Sequence, residues 1–146
     1  MKSVVLDASV ALAWCFPDEQ SAYADQVLQE LEGRPVVVPS IWALEIANGL
    51  LVGERRKRLG QAEIVRFVDL LEVLSVQEVA VPVSTQIAGV LPLGREYGLS
   101  AYDASYLDVA IRRGADLATA DDALERAARK AGIAIVCSPH PRRTKR

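Results

Sequence analysis

Histidine is nearly missing from these 146 residues: His140, in the C-terminal tail, is the only one. There are two cysteines, Cys15 and Cys137, far apart and in apolar company, with no Cys-x-x-Cys pair. A structural zinc site takes four such ligands, so zinc is excluded, and both thiols read as small buried hydrophobes. With the one histidine in the tail, a serine–histidine hydrolytic pair is also excluded. No Gly-rich phosphate loop, internal repeat, low-complexity tract or linker is present. No stretch approaches the ~20 apolar residues of a membrane span, and Asp7 and Asp18 interrupt the apolar start with no basic leader before it. The expectation is a cytoplasmic protein that does not engage a membrane.

What is present fits one domain. Hydrophobic residues make up 51% and charged residues 25% of the chain, the proportions of a globular protein with a real core. The net charge of −2 hides an asymmetry. Arg55, Arg56, Lys57 and Arg58 form one basic block, and Arg142, Arg143, Lys145 and Arg146 another. Without these eight, nine basic residues face nineteen acidic ones, and the body stands near −10. An acidic body with two basic patches suits neither a simple DNA-binding module nor a membrane-surface protein. Either patch is a candidate for phosphate contact or merely a solvated turn and a frayed tail.

The apolar pattern alternates between strand and helix. Residues 3–6 read as a buried strand ending at Asp7, 18–32 as a helix stopped by Gly33, and 36–38 as a second buried strand. Ser40 is expected to cap a helix to about Val52, and Gly60 precedes another over 61–74. A weaker strand over 76–81 leads to a helix ending near Tyr97, broken or kinked at Pro92. Ser100 opens a helix ending near Gly114. Leu117-Ala118 is a short strand, 121–131 a helix, and 133–136 a last strand. Strands apolar throughout and separated by helices predict one α/β domain, a parallel sheet of four to five strands covered by helices on both faces.

Ligands of such sheets bind at the carboxyl ends of the strands, where Asp7 and Asp121 fall. Asp7 alternatively caps a helix starting near Val10. Glu45 lies in a helix apolar nearly all round, with no cation on its own helix before Arg55 and Arg56. Burying it unpaired would cost several kcal/mol, so it ligates something, is hydrogen-bonded, or sits exposed on a rim. Asn48, one turn on, is its natural partner. Asp103 follows Ser100 at capping-box spacing, and Thr119 and Asp122 offer a second such box that leaves Asp121 unaccounted for. Asp108 falls ~140° round the helix from Asp103 and pairs with Arg112, as a solvated residue would. Acids gathered at one sheet edge repel by roughly 4 kcal/mol per pair at ~4 Å and an effective dielectric of ~20. A hard divalent cation relieves that repulsion, and all-oxygen ligation favours Mg²⁺ or Mn²⁺. Metal-assisted phosphodiester hydrolysis is the chemistry these residues best support.

Four blocks carry a resemblance: Val5-Leu6-Asp7-Ala8-Ser9, Leu44-Glu45-Ile46-Ala47-Asn48, Tyr102-Asp103-Ala104-Ser105-Tyr106-Leu107 and Leu117-Ala118-Thr119-Ala120-Asp121. In order and spacing they resemble the PIN-domain family, and the chain length is similar to that of VapC-type toxins of toxin–antitoxin pairs. The likeness runs from residue 3 to about residue 136. It implies a Rossmann-like nuclease domain over 1–137 followed by a basic tail over 138–146 that is expected to be disordered. It implies metal ligation and catalysis by Asp7, Glu45, Asp103 and Asp121, with Ser9, Asn48 and Thr119 as polar support. Asp122 competes with Asp121 for the fourth place, and the Thr-x-Asp spacing favours Asp121. The implied activity is Mg²⁺- or Mn²⁺-dependent cleavage of RNA, often transfer or ribosomal RNA. The implied partners are a second copy in a homodimer and a VapB-like antitoxin laid across the site, for which apolar residues on the helices 40–52 and 61–74 are candidates. The acids alone leave a DNA nuclease, a phosphatase or a catalytically silent interaction module open. Trp14 and Trp42 read as core rather than as base-stacking residues.

Overall fold

Two runs of aliphatic residues set the centre of the molecule. In the computed structural model, which describes residues 1–19 and 21–138, they form β1 (Val4–Leu6) and β2 (Val36–Val38). Alternate residues of a strand face opposite ways, so strands buried at every position need cover on both sides. Each residue of β1 is 0% exposed, and seven helices among the described residues supply the cover. The sheet is parallel in the order β3-β2-β1-β4, with β3 at Gln77–Glu78 and β4 at Asp116–Ala118. Val4 pairs with Val36 on one side, and Val5 with Leu117 on the other. All carboxyl ends therefore lie on one edge.

The helices are α1 (Ala8–Ala13), α2 (Ala22–Glu30), α3 (Trp42–Arg55), α4 (Gln61–Leu74), α5 (Val83–Tyr97), α6 (Ala101–Arg113) and α7 (Asp122–Lys130). The helix expected from residue 18 starts later, at Ala22, because Ser21 caps it while Asp18 and Glu19 are drawn to Arg58, each at 3.0 Å. Ser40 does not cap α3. Ile41 takes that place without a side-chain bond, and the Ser40 hydroxyl accepts from Gln86 Nε2. The helix α5 continues across Pro92 rather than breaking there, lying along α6. The strand expected over 133–136 is reduced to one bridge, Leu117 with Ile135, between left-handed backbone at Gly132 and Cys137. The strand expected over 76–81 keeps two residues before Pro82, which has no N–H to give. The tail over 138–146, Ser138 apart, and His140 lie outside the described residues.

Residues 104–110 of α6 are all buried, which makes it the central helix. Asp108 is a correction to the sequence reading: it pairs with Arg112 as expected, at 2.9 Å, but is 7% exposed rather than solvated. Gly89 of α5 passes directly over the pair, where a Cβ would stand 2.7 Å from Asp108 Oδ1. Trp42 and Cys15 are buried in the core and Cys137 is half-buried; both thiols are free. Trp14, partly buried, donates its indole N–H to Ala24 O. No helix among the described residues is long and apolar enough to cross a membrane.

The approach of α3 to α1 fixes how Glu45 stands relative to Asp7; Gly49 permits it, and Gly53 permits the close packing of α3 on Phe16 and Leu59 beyond it. A Cβ at Gly49 would meet Leu12 at 2.6 Å, and one at Gly53 would meet the Phe16 ring at 2.7 Å and Leu59 at 2.8 Å. Alanine is the better helix former by up to ~1 kcal/mol, but overpacking against a ring costs more. Gly53→Ala is expected to lose about 1–2 kcal/mol and lower the thermal midpoint by roughly 3–6 °C, as read by calorimetry. An unchanged or raised midpoint would refute the tight contact.

Candidate active site

The site is assembled from the carboxyl ends of β1 and β4 and the first turns of α3, α6 and α7. Asp7 follows β1 directly, continuing the ladder through its N–H to Ala118 O at 3.0 Å. Its backbone is extended (φ −65°, ψ 133°), and it caps α1 by accepting the Ser9 N–H at 3.2 Å. Capping uses one oxygen. The other accepts the Thr119 hydroxyl at 2.8 Å, and the residue is 8% exposed. Thr119 is fully buried, and its Oγ1 in turn accepts the Asp121 N–H at 3.1 Å. One hydroxyl thus ties the first acid to the fourth. The Thr119 N–H is given to the Tyr23 hydroxyl at 3.1 Å, which donates to Val136 O at 2.8 Å.

Glu45 lies in the first turn of α3, half-buried, and accepts the Tyr106 hydroxyl at 2.8 Å. That hydroxyl accepts the Ala8 N–H at 3.2 Å. Asn48 does not fill the supporting role expected of it: it is exposed and makes no hydrogen bond to Glu45 among the described residues. The helical spacing was suitable, but Tyr106 reaches Glu45 from α6 instead. Asp103 stands in the first turn of α6, where Ser100 caps its backbone N–H at 3.1 Å. Asp121 is the N-cap of α7, accepting Leu124 N–H at 2.9 Å, so capping does account for one of its oxygens. Thr119 does not cap that helix.

The four acids feel one another. Burial raises the Asp7 pKa most, against hydrogen bonds from Thr119 and Ser9, and the Asp121 charge raises it further. Burial also raises Glu45, against its bond from Tyr106, with added repulsion from Asp7 and Asp103. Asp103 is raised by burial, then by Asp121 and Asp7. The Asp121 charge is the fourth one acting on Asp7 and Asp103. No ion pair among the described residues involves any of the four. The donor set is hard oxygen with uncompensated negative charge, which suits a divalent cation. The side chains are not drawn in on a point: as they stand, no three acidic, histidine or cysteine groups among the described residues close round an ion position. Asp7, Glu45, Asp103 and Asp121 are brought together with Ser9 and Thr119. The tyrosines at 106 and 23 are supports that the sequence reading did not single out.

Comparison with known proteins follows the same outline. The PIN domain family model matches residues 4–130. Among solved structures, PAE2754 from Pyrobaculum aerophilum is similar at 28% identity and a TM-score of 0.65, covering 92% of this chain and 91% of that one. FitAcB from Neisseria gonorrhoeae is similar at 20% identity and 0.61, covering 90% and 95%. VapBC2 from Rickettsia felis, bound to a DNA fragment from their promoter, is similar at 12% identity and 0.59, covering 91% and 96%. The last two likenesses speak to the fold alone. No curated protein sequence matched the chain.

The raised carboxyls fix the sign of a pH effect. Where the folded pKa exceeds the unfolded one, the native chain holds more protons, and stability falls as pH rises between the two. In EDTA the thermal midpoint should therefore rise as pH is lowered from neutral toward the ordinary carboxylate range of about 4. Asp116 has the opposite sign. Burial would raise it, but bonds from Arg34 at 2.7 Å and Lys2 at 3.0 Å outweigh that and hold it below the usual range. Its contribution is complete above the ordinary carboxylate pKa of about 4 and is lost as pH falls further. Asp7→Asn keeps a capping acceptor and removes one charge. It is expected to flatten that rise and to increase the pH 7 midpoint in EDTA. A midpoint that falls steadily from pH 7 to 5, in wild type and variant alike, would contradict the assignment.

Proposed function

The chain belongs to the PIN-domain family, whose members are in general nucleases, and from that premise we propose that it is a metal-dependent endoribonuclease, a VapC-like toxin restrained by a cognate VapB-like antitoxin. The observation that carries the reading is the set of four acids on separate elements with no cationic partner among the described residues, three of them, Asp7, Glu45 and Asp103, raised by burial and by neighbouring acids. Asp7, Glu45, Asp103 and Asp121 would hold Mg²⁺ or Mn²⁺. When bound, such a cation neutralises charge developing on a phosphodiester and makes a coordinated water more acidic.

The chain's own contribution is placement. Thr119 and Ser9 hold both oxygens of Asp7, and the cap of α7 holds one oxygen of Asp121. Asp103 rides on the rigid first turn of α6. RNA, including transfer or ribosomal RNA, is the substrate that the resemblance to VapC-type toxins supports, and the cytoplasm is where it would be met. The similarity to VapBC2 supports an antitoxin partner. So do apolar residues left bare on α3 and α4: Leu51, Val65, Val68 and Val73 are 47%, 52%, 41% and 80% exposed. The proposed homodimer would use a groove of about 350 Å³ lined by Ile41, Leu44, Ile87, Val90 and Tyr102. The nuclease domain is taken as 1–137 and the basic tail as 138–146.

The test is cleavage of total RNA by purified protein with Mg²⁺ or Mn²⁺, beside an EDTA control. Discrete fragments are expected, disappearing in EDTA and falling by at least about 100-fold in Asp7→Asn and Asp103→Asn. Intact RNA throughout, from a folded wild type that binds Mn²⁺, would end the ribonuclease reading and leave the metal site in place.

A further inference from the structure

Tyr106 occupies a position that core packing alone does not explain. It is 1% exposed in the middle of α6, among aliphatic neighbours where phenylalanine would pack as well. Its hydroxyl meets two groups from different elements, the Ala8 N–H at 3.2 Å and Glu45 Oε1 at 2.8 Å. The direction of both bonds is forced. An amide nitrogen only donates, so the phenol accepts there and has its single proton left for the carboxylate. Ala8 is the first residue of α1, where backbone N–H groups lack helical partners, and it directly follows Asp7. One buried oxygen therefore joins the turn carrying Asp7, the helix carrying Glu45 and, one turn from Asp103, the helix carrying that acid.

We propose that Tyr106 is a positioning residue for the cation site, its hydroxyl holding Glu45 at a set distance from the Asp7 turn so that carboxylates of separate elements are ordered before the ion arrives. This rests on the metal-dependent reading above. A hydrogen bond to an ionised acceptor is among the stronger ones, and partners that orient a ligand typically change metal affinity by 10–100-fold when removed. Glu45 needs such a tether more than Asp7 does. Asp7 has hydroxyl and backbone donors on both oxygens, whereas Tyr106 is the hydrogen bond found for the Glu45 carboxylate.

The experiment is Mn²⁺ titration of the full chain by calorimetry without RNA, for wild type, Tyr106→Phe, Glu45→Gln and the double variant. Tyr106→Phe is expected to weaken Mn²⁺ binding by about 10–100-fold. With RNA, kcat at limiting Mn²⁺ should fall and recover with excess Mn²⁺, while KM for RNA stays unchanged. In the Glu45→Gln background, Tyr106→Phe should alter Mn²⁺ affinity by less than about 2-fold, because the group it acts through is already neutral. A loss of the same size in both backgrounds would overturn the proposal. So would a Tyr106→Phe protein that unfolds or melts more than roughly 8 °C lower in EDTA, since the hydroxyl would then belong to the fold. Wild-type Mn²⁺ affinity in Tyr106→Phe would overturn this inference alone. Failure of the wild type itself to bind Mn²⁺ would overturn both it and the metal-dependent reading.

Discussion

A carboxylate in the interior with no cation to meet it is the constraint from which the rest of this structure follows. Asp7 terminates the central strand, and its place there is dictated by three consecutive aliphatic residues that are fully buried. An ionised group in such a position is tolerable only if its oxygens are hydrogen-bonded. The turn into α1 supplies one donor and Thr119 the other, and the second of these obliges β4 to end beside β1. Fold and charge are thus solved together.

The two edges of the sheet treat charge in opposite ways. At the amino end, Asp116 opens β4 and is met by Lys2 and Arg34, which hold it ionised and bind the strand start to its surroundings. At the carboxyl end, four acids face one another and the supports are neutral: hydroxyls and backbone N–H groups. Neutral donors fix direction without cancelling charge, so the negative potential survives for use. Such an edge is destabilising in isolation, an arrangement common where stability is yielded to activity. The buried faces of β1, β4 and α6 offset it.

Much of this was legible in the residues themselves. The strand over 36–38 and the helix over 61–74 fall where the apolar pattern puts them, because length and period were unambiguous there. Asp7 and Asp121 share one edge because parallel strands share their carboxyl ends, whereas Glu45 and Asp103, on α3 and α6, were grouped with them by the resemblance of the four blocks. What was not legible depended on contacts between distant elements. Helical arithmetic placed Asp108 away from Asp103 but not under Gly89 of α5. Asn48 had the right spacing to Glu45, yet the partner came from sixty-one residues away. A signal for Tyr106 did exist: a phenol within an apolar helical run needs a hydrogen-bond partner when buried, and the nearby acids were the available acceptors. The last strand was reduced to one bridge between left-handed backbone at Gly132 and Cys137, local features that hydrophobic pattern does not weigh.

The strand order has a bearing on how the protein is made. Strand β1 leaves the ribosome well before its neighbour on one side, β4, because six helices lie between them in the chain. Until Thr119 and Asp121 have emerged, the Asp7 carboxylate lacks its buried hydroxyl donor and the fourth acid is not attached. Non-local parallel pairing of this kind forms late in folding. The acidic edge is consequently completed only once nearly the entire domain has been synthesised, and an interrupted translation product would carry the first strand without the site.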